Sequence, residues 1–177
     1  MTHSGSAAAS ITERPFGTGK HCTAGNAAKC QRCSALGASL AIDYNAQDYV
    51  EAIESAFGKR SIDVSLNMVG GDYVMRDIRL LSQGGRLVMI AARKGSKIEF
   101  DYTALTEKDG RMTGSRLRPR PIPEKARLTA AVRKAVWPLI ENGKFKPVIE
   151  KTYPLLQIDA AHTHMAGSHI GKILLTL

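Results

Sequence analysis

The chain has 177 residues, enough for one domain with a sizeable core. Hydrophobic residues make up 44% and charged residues 23%, the balance of a soluble globular protein, and no apolar run reaches the roughly 20 residues that span a bilayer. The formal net charge of +9 points either to anionic ligands such as nucleotide phosphates or to nucleic acid.

From the N-terminus, residues 1–20 are rich in Ser, Ala, Thr and Gly and contain Pro15. They read as an irregular or disordered arm with, at most, a short helix over Ala7–Ile11. Met1–Ser10 has no long apolar core of the kind a signal peptide carries, so the expected location is cytoplasmic. His21–Ala24 reads as a short strand. Asn26 is placed to cap a helix through Leu36, which Gly37 ends. Leu40–Asp43 is a strand, and Asp48–Phe57 an amphipathic helix stopped by Gly58.

Residues 61–91 carry the strongest pattern. Ser61–Val69 alternates, with Ile62, Val64, Leu66 and Met68 on one face. Gly70-Gly71 ends it, and Asp72–Ser82 has helical spacing with Val74, Ile78 and Leu81 on one side. Gly84-Gly85 is expected to stop that helix before a second apolar run, Arg86–Ala92. This is a βαβ unit of the size a parallel sheet needs. A Gly pair at the C-terminal end of a parallel strand lets backbone approach a flat or anionic ligand closely, and open α/β sheets bind ligands at that edge.

Further strand pieces are expected at Ile98–Phe100 and Met112–Ser115, joined by a helical or turn segment near Tyr102–Lys108. Pro119, Pro121 and Pro123 break structure. Glu124–Asn142 is the longest predicted helix, with Leu128, Ala131, Val132, Ala135, Val136, Leu139 and Ile140 as its apolar stripe. Pro138 is expected to kink or break it, Trp137 to face its buried side, and Gly143 to cap it. Val148–Lys151 reads as a strand, Leu156–Gly167 as a short helix and Ile170–Leu177 as a final strand. The class is therefore α/β: a Rossmann-like, doubly wound, mainly parallel sheet. Residues 21–177 form a single nucleotide-binding domain on this reading.

Few side chains suggest other chemistry. The odd cysteine count (Cys22, Cys30, Cys33) does not suggest a disulfide framework. Cys30 and Cys33 have no second pair to complete a zinc site and read as inert helix cysteines. His162 and His164 are two apart on a helix and cannot face one metal ion. No metal is expected. No Ser-His-Asp or paired-carboxylate pattern supports a hydrolase. Arg111–Lys134 holds eight basic residues against Glu124 alone. It reads as a solvated helix face or a polyanion-binding patch, and its scarce aromatics weigh against nucleic acid.

The segments TAGNAAKC, LGASLAIDY, VGGDYV, GGRLVMIA, TGSRLRPRP, KAVWPLIENGKFKPVIEKTYPL and HIGKILLTL, in this order, resemble the nucleotide-binding half of the zinc-independent quinone oxidoreductases of the medium-chain dehydrogenase/reductase superfamily. The resemblance implies NADPH as cofactor and reduction of a quinone or activated enone by hydride transfer. It implies a phosphate site at Gly25, Asn26 and Lys29, with Tyr44 against the adenosine end. It implies a ribose turn at Val69, Gly70 and Gly71, and a nicotinamide loop at Ala92 and Arg93. Leu117 and Arg118 match a closing loop, and His169 a C-terminal contact. Blander readings stand beside these: Lys29 as an exposed helix lysine, Tyr44 as edge packing, Gly70-Gly71 as a simple tight turn, Arg118 and His169 as surface side chains. No catalytic side chain is assigned, because hydride transfer to a quinone needs position and a dry pocket more than acid–base groups.

Two departures from the family pattern stand out. Its glycine-rich pyrophosphate turn corresponds to Ser4–Ala9 (SGSAAA), which has one glycine, so the first strand is lacking or altered. The family's N-terminal catalytic domain has no counterpart. The chain is therefore expected either to be a cofactor-binding half, inactive alone, or a non-catalytic dimerising remnant paired through an edge strand near Met112–Leu117. The expected partners are a small-molecule acceptor and a second copy, with no membrane and no nucleic acid.

Overall fold

Strand β1 (His21–Ala24) pairs in parallel with β2 (Leu40–Asp43), with His21 opposite Leu40 and Ala24 opposite Asp43. The computed structural model of the chain describes residues 19–177, so the expectations for 1–18 (the short helix, SGSAAA) fall outside the described residues. Helix α1 (Ala27–Ala35) joins the two strands and starts at Asn26, whose side chain accepts from the Lys29 N–H. It stops at Gly37, whose φ of +97° suits glycine alone among common residues. Ile42, Ala24 and Cys33 are buried where this helix meets its strands.

Helix α2 (Tyr49–Phe57) follows and ends at Gly58, with φ +84°. Strand β3 (Ile62–Asn67), helix α3 (Tyr73–Leu80) and strand β4 (Leu81–Met89) form the expected βαβ unit. After α4 (Thr103–Thr106), strand β5 (Arg111–Gly114) completes a parallel sheet of order β3-β4-β5. The core beneath α3 is Val74, Ile78, Leu81 and Leu87, with Ile62, Met75, Met89 and Leu105 against it. Ile78 and Leu87 have no exposed surface, and burial of each contributes roughly 1.5–3 kcal/mol. Glu54 of α2 holds Arg79 of α3 by two bonds of 3.1 and 2.9 Å.

Four local expectations need correction. Helix α3 closes at Leu80 and the chain turns directly into β4, so Gly84-Gly85 lies inside a bulged start of the strand rather than in a turn before it. The closure comes from Lys108, whose Nζ donates to the Ile78 and Arg79 carbonyls at 2.6 and 3.1 Å. Ile98–Phe100 is not a strand; Ile98 packs on the core as a loop residue. Helix α5 (Ile122–Glu141) runs through Pro138 without a break, and none of its residues is buried, Trp137 being 54% exposed. Of its apolar stripe Leu128, Val136 and Leu139 are half-buried, while Val132 and Ile140 are exposed.

Strand β6 (Ile149–Pro154), helix α6 (Ile158–Ala166, after a single 3-10 turn) and strand β7 (Lys172–Thr176) close the chain, with β6 and β7 parallel. The described residues make two compact units, one of residues 19–49 with Ala135–Leu177 and one of Val50–Lys134. All sheet pairings are parallel and each falls within one unit. No described helix is long and apolar enough to cross a membrane.

The β6–α6–β7 segment is fastened by a polar chain. The Tyr153 hydroxyl lies 3.1 Å from His164 Nδ1, and His164 Nε2 lies 3.0 Å from Glu150 Oε1. Glu150 Oε2 accepts from the Ile170 N–H. That N–H first, and His164 after it, hold the Glu150 carboxyl below its ordinary 4.5, against a rise from desolvation. A carboxyl lowered by folding adds stability above its unfolded pKa and loses it as pH falls through the folded value. Thermal unfolding of wild type and Glu150→Gln should therefore differ at pH 7 and converge in acid below 4.5. A gap that persists unchanged in acid would contradict the assignment.

Candidate functional site

The C-terminal ends of β3 and β4 are joined into one double loop. Lys94 N–H donates to the Val69 carbonyl at 2.7 Å, Gly71 N–H to the Gly95 carbonyl at 3.0 Å, and Ile90 N–H to the Asn67 carbonyl at 2.9 Å. Gly70 is buried, with φ +72°, and a Cβ there would sit 2.6 Å from the Gly95 carbonyl oxygen and 2.9 Å from Ala92 Cα. Gly71 has φ +55° and backs onto Lys94. Only glycine permits both this conformation and this approach. Five of the residues expected at the site, Val69, Gly70, Gly71, Ala92 and Arg93, thus come together at the sheet edge where open α/β sheets bind ligands.

The rim of this double loop is basic. Lys94 Nζ lies 4.7 Å from the Tyr73 ring centroid and the Arg76 guanidinium 5.2 Å from it, within cation–π range. Ala92 and Arg93 are exposed. Beside Gly71 an open hollow of about 400 Å³ is lined by Asp72, Met75, Lys97, Ile98 and Glu99.

The sequence reading missed what shapes the turn. Asn67 Oδ1 accepts from the Val69 and Gly70 N–H groups at 2.8 and 2.9 Å. Asn67 Nδ2 donates to Asp77 Oδ2 at 2.7 Å, and Ser65 Oγ donates to the same oxygen at 2.9 Å. Asn67 and Asp77 are 3% and 8% exposed. One signal pointed to Asn67, an Asn ahead of a glycine turn, where its side chain folds back on the backbone; nothing in the sequence marked Asp77 as its partner.

In the other unit, Gly25, Asn26, Lys29 and Tyr44 cluster at the C-terminal ends of β1 and β2. A Cβ on Gly25 would meet the Tyr44 hydroxyl at 2.8 Å, so the tyrosine lies over the glycine while 38% of it stays exposed. Asn45 Nδ2 donates to the Gly25 carbonyl at 2.8 Å. Asn26 caps α1 through Oδ1 and reaches Ser168 Oγ with Nδ2 at 3.5 Å, bringing the segment that carries His169 to the helix start. Lys29 is 8% exposed, which rules out the reading of a freely solvated helix lysine. The free N–H groups of such a helix start favour anions. His169 is half-buried, with Nδ1 3.4 Å from the Gly167 carbonyl.

Leu117 is 61% exposed and Arg118 is exposed, its carbonyl accepting from Lys125 Nζ at 2.8 Å. That bond ties the Arg118 backbone to the start of α5. The three thiols are free. Desolvation, and then a hydrogen bond with Cys33, push the Cys22 thiol up to about 12, which suppresses the thiolate that nucleophilic chemistry requires. Among the described residues no group of three His, Cys, Asp or Glu side chains is arranged to hold a metal ion.

Comparison with known proteins identifies the family. Residues 36–175 match the family model described as zinc-binding dehydrogenase. Human quinone oxidoreductase is 28% identical over 144 residues, covering 80% of this chain and 42% of the relative. The bovine quinone oxidoreductase-like protein 2 is 27% identical over 159 residues, covering 87% and 44%. The crystal structure of the quinone oxidoreductase from Thermus thermophilus, solved also in complex with NADPH, superposes with a TM-score of 0.71 at 25% identity, covering 89% of this chain and 49% of that one. An NAD-dependent alcohol dehydrogenase gives 0.65 at 25% identity, covering 89% and 43%. The chain thus spans about 42% of the human relative's length. It belongs to the zinc-binding dehydrogenase family, within the medium-chain dehydrogenase/reductase superfamily, and corresponds to the Rossmann-like nucleotide-binding half of its quinone oxidoreductases.

Proposed function

We propose that the chain is the cofactor-binding part of an NADPH-dependent oxidoreductase whose acceptor is a quinone or an activated enone. The observation that carries this reading is the double loop at the ends of β3 and β4, where buried Gly70 is wedged against Ala92 and Gly95. Such a surface accepts a flat or sugar part of a dinucleotide without side-chain obstruction. At the start of α1, Asn26 and Lys29 suit the adenosine 2′-phosphate, with Lys29 as the point charge. Tyr44 over Gly25 suits the adenosine. Leu117, Arg118 and His169 are proposed to close over the bound cofactor. Bound NADPH supplies the hydride; these residues hold and orient it and exclude water. The name of the family speaks of zinc, but the described residues offer no ligand set for it.

Lys29→Ala tests the phosphate assignment. NADPH affinity, followed by nucleotide fluorescence, should fall about tenfold, some 1.4 kcal/mol, while NADH affinity stays near its wild-type value. Equal loss for both nucleotides would remove Lys29 from the phosphate site. The exposed strand β5, at the outer edge of its sheet, is the proposed pairing edge for a second copy.

A further inference from the structure

We propose that Asn67 and Asp77 are positioning residues of the glycine turn, acting as a buried lock that fixes the turn's shape before any ligand arrives. An asparagine amide has one accepting end and one donating end. Here the accepting end meets two backbone N–H groups, those of Val69 and Gly70, and the donating end meets the Asp77 carboxylate. Reversing the amide would set its carbonyl against the carboxylate and its NH2 against two N–H donors. With Asn67 3% and Asp77 8% exposed, water cannot relieve that mismatch. Ser65 supplies a second donor to the same carboxylate oxygen, so the anchor itself is held from the strand.

The lock has a chemical consequence. The Val69 and Gly70 N–H groups are taken by Asn67, and the Gly71 N–H by Gly95. A turn that binds phosphate does so by presenting free backbone N–H groups. This one has used all three internally, so it receives a neutral sugar or ring surface and leaves phosphate to the basic side chains. The link to a dinucleotide rests on the function proposed above; the lock itself does not.

The test exchanges the two side chains. Asn67→Asp sets two carboxylates face to face and should raise the exchange rates of the Val69 and Gly70 amides about tenfold while weakening NADPH binding by a similar factor. The double variant N67D/D77N restores a donor opposite an acceptor. In it the carboxylate on the strand still accepts from both backbone amides, and the side-chain amide on α3 donates to that carboxylate. It should return both readouts to near wild type. The amide of Ile78 in α3 reports general loosening and should not change. Failure of the swap to rescue, or unchanged amide exchange in N67D, overturns the proposal. Should N67D not fold, Asp77→Ala asks the same question with Asn67 in place, and again unchanged exchange at Val69 and Gly70 overturns it. Amide exchange is read without nucleotide, so a wild type that binds neither NADPH nor NADH defeats the proposed function and leaves this test standing.

Discussion

Gly70→Ala should lower the stability of the chain by about 3 kcal/mol, combining the roughly 1–2 kcal/mol of a left-handed conformation at a residue with a Cβ with the roughly 1–3 kcal/mol of overpacking. The φ of +72° is the first part. The second is steric, since the new methyl would lie 2.6 Å from the Gly95 carbonyl oxygen and 2.9 Å from Ala92 Cα, both backbone atoms that cannot rotate away. The Ala92–Gly95 segment would have to move, breaking the bonds from Gly71 and Lys94 that join the two loops. Gly84→Ala is the matched control, because its φ is +70° but a Cβ there meets nothing within 4 Å. It should cost only the conformational part. Urea unfolding of both variants separates the terms, and equal losses would show that the close approach at Gly70 is not resisted.

Lys108→Met should cost about 2 kcal/mol, the penalty for removing a charged donor from carbonyls at a buried helix end, although the Ile78 carbonyl keeps the Leu81 N–H. Lys108 is 4% exposed, and its ammonium donates to the Ile78 and Arg79 carbonyls at the end of α3. Its own carbonyl accepts from Gly84 N–H at 2.6 Å. One residue therefore closes the helix and fixes the bulged start of β4. Methionine keeps most of the stem and removes the donors, which isolates the polar contribution. Desolvation, and then the nearby Arg60 charge, hold the ammonium below its ordinary 10.5, against a rise from Glu107. A base lowered by folding binds more protons when unfolded, so its contribution to stability rises with pH as it deprotonates. The stability gap between wild type and K108M should accordingly widen as pH approaches 10.5. A loss under about 0.5 kcal/mol, the range of ordinary surface substitutions, would show that water satisfies those carbonyls instead.

The parallel α/β class was legible because β1, β2, β3 and β4 are short apolar runs bounded by residues that only a turn needs. Gly37, Gly58 and Gly143 all take positive φ where the sequence placed a helix stop. Legibility failed where a distant side chain decided the boundary. The end of α3 is set by Lys108, thirty residues beyond Ile78, so no local pattern revealed that Leu81 already belongs to β4. The apolar stripe of α5 was visible as periodicity, but periodicity does not say what covers it, and Trp137 is 54% exposed.

The candidate site divides in the same way. Glycines mark close approach by their own chemistry, so Gly25, Gly70 and Gly71 could be named from sequence. The Asn67–Asp77 pair could not, because a polar residue on a strand and another on the next helix gain meaning only when the βαβ crossover sets them face to face. Val64 and Leu66 illustrate the cost of that arrangement. They are 49% and 48% exposed, while Ser65 and Asn67 turn toward α3.

Titration of the purified chain with NADPH and NADH in parallel, followed by nucleotide fluorescence, tests the central claim most directly. The account predicts saturable binding near micromolar concentrations with NADPH preferred. Absence of binding for both nucleotides at millimolar concentrations would contradict it, and the double loop at Gly70 would then be a structural turn of a chain that keeps the family's fold without its cofactor.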